Sequence, residues 1–340
     1  MKAIKNLLSL FAVLFAVMLS SCSNDDIPVN QSITFKINPS TVISDFAEFN
    51  PGELTSMPSS LLLRVRLLIY NDKGTLVASD TQTFKDYSHI MSSTQALEEG
   101  AYTVVTITDV KASDDELNWT LSNQESLNTL KLTKSKYIRY QYGLLGLETK
   151  KVNITSSTKT ISIDVKPAGA LAIVFYLNWN QYSNVTRYKL LTKKISDELT
   201  LNSDGTPLYS ITSSSDFNYR ISLADWDSNY EHAYRYVFLF PMQNVHFQFA
   251  CETNDEKQYY LGESAIIDIE KGKEYLFAID IATQETTWEE STSSASSSLR
   301  DATPMGKADF FEAKTIDQLQ FDLEDCSVLK FNDSKQLQLN

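Results

Sequence analysis

Side chains able to do chemistry are few in this chain, and their spacing limits them. His89, His232 and His246 are scattered, with no base, thiol or carboxylate at a spacing that would build a relay. His246 sits between Val245 and Phe247 on the outward phase and reads as a solvated strand histidine. No nucleophile elbow, phosphate loop, zinc-protease signature or C-x-x-C pair occurs. Asp225, Asp227 and Asn229 place oxygens at alternating positions, as the start of a calcium loop does. The glycine and distal glutamate that should follow are replaced by Tyr230 and Tyr236, so this is a weak calcium candidate beside a capped turn. Trp179 and Trp226, in Asn178-Trp179-Asn180 and Asp225-Trp226-Asp227, would stack on sugar rings if exposed. The plainer reading makes them plugs at the ends of a sandwich. No cofactor and no catalysis are expected.

One cysteine has a clearer context. Lys2 and Lys5 precede an apolar run from Leu10 to Leu19, too short to span a bilayer and suited to a cleaved export signal over residues 1–21. Leu19-Ser20-Ser21-Cys22 then resembles a bacterial lipobox, in which the thiol receives a diacylglycerol; a plain secretory signal with an incidental cysteine is the alternative. A diacylglycerol plus an amide-linked chain suffices for stable attachment to an outer membrane. The acidic stretch Ser23-Asn24-Asp25-Asp26 within linker 22–30 is similar to a tag that sends lipoproteins to the cell surface, or is simply a solvated linker. Of the other thiols, Cys251 continues the inward phase of Val245, Phe247 and Phe249 and reads as a buried free thiol. Its pairing with Cys326 is left open.

Composition narrows the class. With 43 acidic and 30 basic residues the net charge is −13, which excludes the basic face a nucleic-acid partner requires. Tyr and Phe number 17 each against 10 Gly and 8 Pro, a mix that favours pleated strands. Period-two alternation recurs along the chain and no long segment has a helical period. Strands are expected at 33–37, 61–70, 75–84, 101–108, 130–133, 137–143, 151–155 and 159–166, with a turn at Asn71-Asp72-Lys73-Gly74. Pro167-Ala168-Gly169 divides a first block, 31–166, from a second, 167–283. Residues 171–177 are apolar on both faces and read as a central strand. In the same block, 234–240 and 245–252 read as a hairpin closed by Pro241–Asn244, with Tyr236, Phe238, Phe247 and Phe249 on its core face. Residues 284–340 form a Ser-rich linker and an extension with weak strands at 318–323 and 327–331.

Several of these parts together resemble the fimbrillin superfamily of Bacteroidota. They are the lipobox, the short strand Ile33-Thr34-Phe35-Lys36-Ile37, the hairpin from Val65 to Val77, the Gly100-Ala101-Tyr102-Thr103-Val104-Val105 strand and the Pro167-Ala168-Gly169-Ala170-Leu171 entry to a second block. The resemblance implies an all-β chain of two transthyretin-like antiparallel sandwiches in tandem, with a short C-terminal extension. It also implies a surface lipoprotein that builds or anchors a fimbria with subunits of the same family by β-strand addition. In that scheme Ile33, Phe35 and Ile37 belong to the donor strand or its groove. Polymerising members are cut after an arginine beyond the first strand. Here no arginine follows the lipobox before Arg64, and Arg64 lies inside an expected strand, so the resemblance points to an uncut accessory or anchor subunit. A surface glycan-binding lipoprotein using exposed Trp and Asp side chains, with a glycan or host ligand, is the alternative.

Overall fold

A computed structural model describes residues 30–40, 42, 61–112, 119–134, 144–179, 185–211, 217–222, 232–254, 258–290, 311–315 and 336–339. About seven in ten of them are strand; the only helix of three or more residues among them is a 3₁₀ turn at Leu127–Thr129. The first half contributes β1 (Gln31–Asn38), β2 (Leu61–Asn71), β3 (Leu76–Phe84), β4 (Met91–Leu97) and β5 (Gly100–Ala112). It continues with β6 (Trp119–Ser122), β7 (Lys131–Lys134), β8 (Leu145–Ile154) and β9 (Thr160–Asp164). The second half opens with β10 (Ala170–Leu177), β11 (Val185–Lys193), β12 (Glu198–Leu201), β13 (Pro207–Ser210) and β14 (Phe217–Ser222). Then follow β15 (His232–Leu239), β16 (Met242–Thr253), β17 (Gln258–Ile269), β18 (Glu274–Asp280) and β19 (Thr286–Glu290). Two short strands, β20 (Phe311–Thr315) and β21 (Gln336–Leu339), come last.

The two halves repeat one topology. Sheets ordered β4-β1-β9 and β3-β2-β5-β8 make the first sandwich; β15-β10-β18-β19 and β14-β11-β16-β17 make the second, the latter continued by β20 and β21. In each half the opening strand lies between a middle strand, to which it is antiparallel, and a late strand, to which it is parallel: β1 between β4 and β9, β10 between β15 and β18. A fifth sheet, β13-β12-β7-β6, takes two strands from either side of Pro167. Turn chemistry follows the residues: Gly74 adopts φ 76° in the tight turn that links β2 to β3.

That fifth sheet explains why residues 171–177 are apolar on both faces. Leu171, Ile173 and Phe175 join the core shared with the first half, whereas Ala172, Val174 and Tyr176 join the core of the second sandwich. The junction is pinned from both sides. Ala168 N–H donates to Leu145 O at 2.8 Å, Tyr209 Oη donates to Ala168 O at 2.9 Å, and Gly272 N–H donates to Gly169 O at 2.9 Å. A side chain at Gly169 would put its Cβ 2.2 Å from Leu239 O, so the Pro-Ala-Gly junction needs its glycine.

Three expectations need correction. Segments 234–240 and 245–252 do not form a hairpin: β15 pairs with β10, β16 pairs with β11 and β17, and the short link crosses from one sheet to the other. The aromatic side chains separate accordingly. Phe238 and Phe240 pack on Trp119, with ring centroids 6.0 and 5.1 Å away, while Phe247 and Phe249 pack on Trp288 in the second core. Secondly, β19 lies beyond residue 283 and pairs with β18, so the ordered sheet extends to Glu290. Thirdly, β4, β6 and β12 had no expected counterpart; β4 is Met-Ser-Ser-Thr-Gln-Ala-Leu, whose inward Ser93 carries no apolar signal. The expected strands at 137–143, 318–323 and 327–331 lie outside the described residues.

Where the halves meet, Lys134 is buried and its Nζ donates to Phe238 O at 3.2 Å. Burial lowers its pKa to about 7, against a smaller opposing pull from Asp197. Below pH 7 the amine is charged in folded and unfolded chains alike. Between about pH 7 and 10.5 only the unfolded chain holds the proton, so unfolding takes a proton up and stability rises with pH. Urea midpoints of the wild type should therefore climb from pH 7 to pH 10, and Lys134→Met should flatten that slope.

Candidate functional site

The N-terminal strand occupies a slot. On one side β1 pairs with β4 from Gln31↔Leu97 to Ile37↔Met91; on the other it runs parallel to β9 from Thr34↔Thr160 to Asn38↔Asp164. Both neighbours are far away in sequence, so a strand at this position is held by tertiary pairing and not by a local turn. Ile33, Phe35 and Ile37 point inward and are wholly buried. Phe35 lies across from Ser93 and Ile161, and the small serine leaves room for the ring. The ends of the slot are fixed by main-chain bonds, Thr34 N–H to Lys159 O at 2.9 Å and Val165 N–H to Asn38 O at 3.0 Å. Asn38 Nδ2 also donates to Asp164 Oδ1 at 3.0 Å, and Gln31 Nε2 donates to Glu99 Oε1 at 2.9 Å.

Its outer face is different. Ser32 and Lys36 are exposed, and Thr34 Oγ1 shares a hydrogen bond of 3.2 Å with Thr94 Oγ1. β10, the equivalent strand of the second half, is buried on both faces. Withdrawing β10 would open two cores to water, whereas withdrawing β1 opens one. Since apolar burial scales with the area removed from water, β1 is the less deeply held strand of the pair.

Beyond the slot, Arg64 is held in β2 against Asp109 of β5. Its Nε donates to Asp109 Oδ1 at 2.9 Å and its Nη2 to Oδ2 at 2.5 Å, and Arg66 Nη1 lies 3.2 Å from Oδ1. The carboxylate is fully buried and is shared by two guanidinium groups. Burial is the main reason the Arg66 pKa falls to about 10; the Asp109 charge opposes that fall and Arg64 adds to it. A peptide bond in the middle of a sheet, beside such a cluster, cannot reach a protease active site, which needs an exposed extended loop.

The remaining expected site residues are not brought together. Trp179 is buried at 7 % exposure among Tyr176, Val185 and Tyr188, and not exposed on a polar loop. Asn178 takes φ 54° at the end of β10, its Nδ2 donates to Asp280 Oδ1 at 2.9 Å, and Tyr188 Oη donates to Trp179 O at 2.8 Å. That turn places the indole in the core, where it offers no open face to a sugar. Cys22, Trp226, Asp225, Asp227, Asn229 and Cys326 lie outside the described residues. Cys251 is a buried thiol, pushed up to about 12 by desolvation. His246 is half-buried, unlike the solvated histidine expected, and desolvation followed by Lys194 and Lys193 lowers its pKa. His89 stacks on Phe84 with centroids 4.3 Å apart.

Two β-sandwiches of repeated topology, joined by a shared sheet and opened by a first strand held between two distant ones, define the chain as an all-β protein. No protein-family model matches it, and no curated protein sequence does. Solved structures do resemble it. A candidate polysaccharide-binding protein of Bacteroides thetaiotaomicron aligns over 77% of this chain and 94% of its own, at 10% identity and a TM-score of 0.45. A candidate adhesin of Bacteroides ovatus aligns over 77% and 92%, at 12% identity and a TM-score of 0.46. The tip fimbrial protein Mfa3 of Porphyromonas gingivalis aligns over 77% and 99%, at 8% identity and a TM-score of 0.41.

Proposed function

We propose that this chain is a cell-surface lipoprotein, tethered to the outer membrane through Cys22, that serves as an anchor or accessory subunit of a fimbria and joins other subunits by strand addition. The observation that carries this reading is the slot of β1: an apolar inner face, a polar outer face, and two flanking strands distant in sequence. A strand from another subunit with the same alternation would satisfy the same main-chain groups and fill the same pockets. The lock between Arg64 and Asp109, with no earlier arginine after the lipobox, favours a subunit that keeps its own N-terminus and its lipid.

Strand addition is tested by inserting a specific protease site into the sequence between Glu53 and Ser59 of the full chain. After cleavage, a labelled peptide of sequence Gln31–Asn38 in excess should displace β1 and remain bound through gel filtration. Absence of exchange in a cleaved, folded chain would exclude the slot as an assembly site. The tether has its own test. Cys22→Ser should move the protein from the membrane fraction to the soluble fraction, and an unchanged distribution would remove the lipid from this account.

A further inference from the structure

Among the described residues, the three-stranded sheet that holds β1 has two edges with no strand paired to them, β4 and β9. An exposed edge offers unpaired main-chain groups to any other strand, and proteins block such edges with charged or hydrogen-bonding side chains. Here each edge is met by a side chain from the facing sheet. Gln82, on β3, donates from Nε2 to Ser92 O of β4 at 3.2 Å; Lys150, on β8, donates from Nζ to Ser162 O of β9 at 3.0 Å. β3 and β8 are themselves the two edge strands of their sheet, so a bond of this kind spans each seam of the sandwich, and Leu147 N–H to Lys166 O at 2.9 Å also joins β8 to the chain after β9. The two contacts are level with one another, because Ser92 and Ser162 are both in register with Lys36 of β1.

The details fit a dedicated role. Gln82 occupies an inward phase of β3 between Ala78 and Phe84, where an apolar residue would pack better, and Asp80 Oδ2 accepts from the same Nε2 at 2.9 Å and so orients it. Lys150 is exposed at the edge of β9, where a second strand would have to displace it.

We propose that Gln82 and Lys150 are edge guards: they deny the outer rims of β4 and β9 to strands of a second copy of this chain, and leave the β1 slot as the one address in this sheet for strand addition. Naming the slot as that address rests on the function proposed above; the guarding of the rims does not.

The test uses the full chain carrying Gln82→Val with Lys150→Val, each single variant, and Lys150→Arg, all checked for a cooperative melt. Sedimentation velocity at matched concentrations should show the folded double variant self-associating about tenfold more tightly than wild type, because a pairing strand no longer has to displace either bond. Hydrogen exchange should then show new amide protection in 91–97 or 160–164. Lys150→Arg, which retains a donor and a charge, should behave as wild type. A folded double variant as monomeric as wild type overturns the proposal, as does association that protects amides elsewhere. If the double variant does not fold, the single variants under the same two measurements decide in the same way. Failure of peptide exchange at the β1 slot, with self-association as expected, would refute the strand-addition reading and leave the guards intact.

Discussion

Phe35→Ala will lower the unfolding free energy of the full chain by about 3–5 kcal/mol, the usual result of truncating a buried aromatic residue. The ring is wholly buried and lies between Ser93 and Ile161, and β4 and β9 cannot close on the void because their spacing is set by β1 itself. The same change in a peptide of sequence Gln31–Asn38 should weaken its capture by the cleaved chain by about a hundredfold or more, since each 1.4 kcal/mol is tenfold. Thr34→Ala, on the outer face, is the control and should alter stability by roughly 0.5 kcal/mol or less. Urea unfolding and peptide competition read the two effects. Equal losses for Phe35→Ala and Thr34→Ala would mean that the inner face of β1 does not govern retention of the strand.

Asp109→Ala should be as damaging by another route. It leaves Arg64 and Arg66 together in a poorly solvated place without a counter-charge, and breaking a buried pair from one side typically costs about 3–5 kcal/mol. Arg66 is already strained electrostatically, as the fall of its pKa to about 10 through burial and the Arg64 charge indicates. Adding Arg64→Met and Arg66→Met to Asp109→Leu should recover much of the loss, because an apolar cluster needs no counter-ion. If the single variant unfolds at the wild-type urea midpoint, the cluster contributes nothing to holding β2 on β5.

Much of the strand inventory can be read from alternation, because side chains on successive residues of a strand face opposite ways whatever the partner. Ile33, Phe35 and Ile37 were legible as an inward set for this reason, and so was Cys251 within the phase of Phe247 and Phe249. Alternation does not name the partner. The segments around Pro241 look like a hairpin because they are close in sequence and equally aromatic, yet Phe240 faces Trp119 and Phe247 faces Trp288 in separate cores. β4 leaves no alternating apolar trace in the sequence because Ser93 is buried opposite a large ring, and a small polar residue carries no hydrophobic mark. Trp179 has asparagine neighbours that suit a loop or a sandwich end alike, and only the bond from Asn178 to Asp280 inside the fold shows that the indole is a plug. The edge contacts left only a faint trace: Asp80 and Gln82 interrupt an inward phase, and nothing in the local order of residues says what they would meet.

Amino-acid order by itself therefore determined that this chain is built of strands, where they begin to alternate, and that reactive groups are scarce. Tertiary structure alone decided which strands are neighbours: that β1 is inserted between β4 and β9, that β7 and β12 pair across the divide, and that β10 is sealed on both sides. The reason is physical. Face preference is a property of each residue and its spacing, whereas pairing of distant segments is settled by competition among many contacts with the loss of chain entropy, a sum that no local stretch contains.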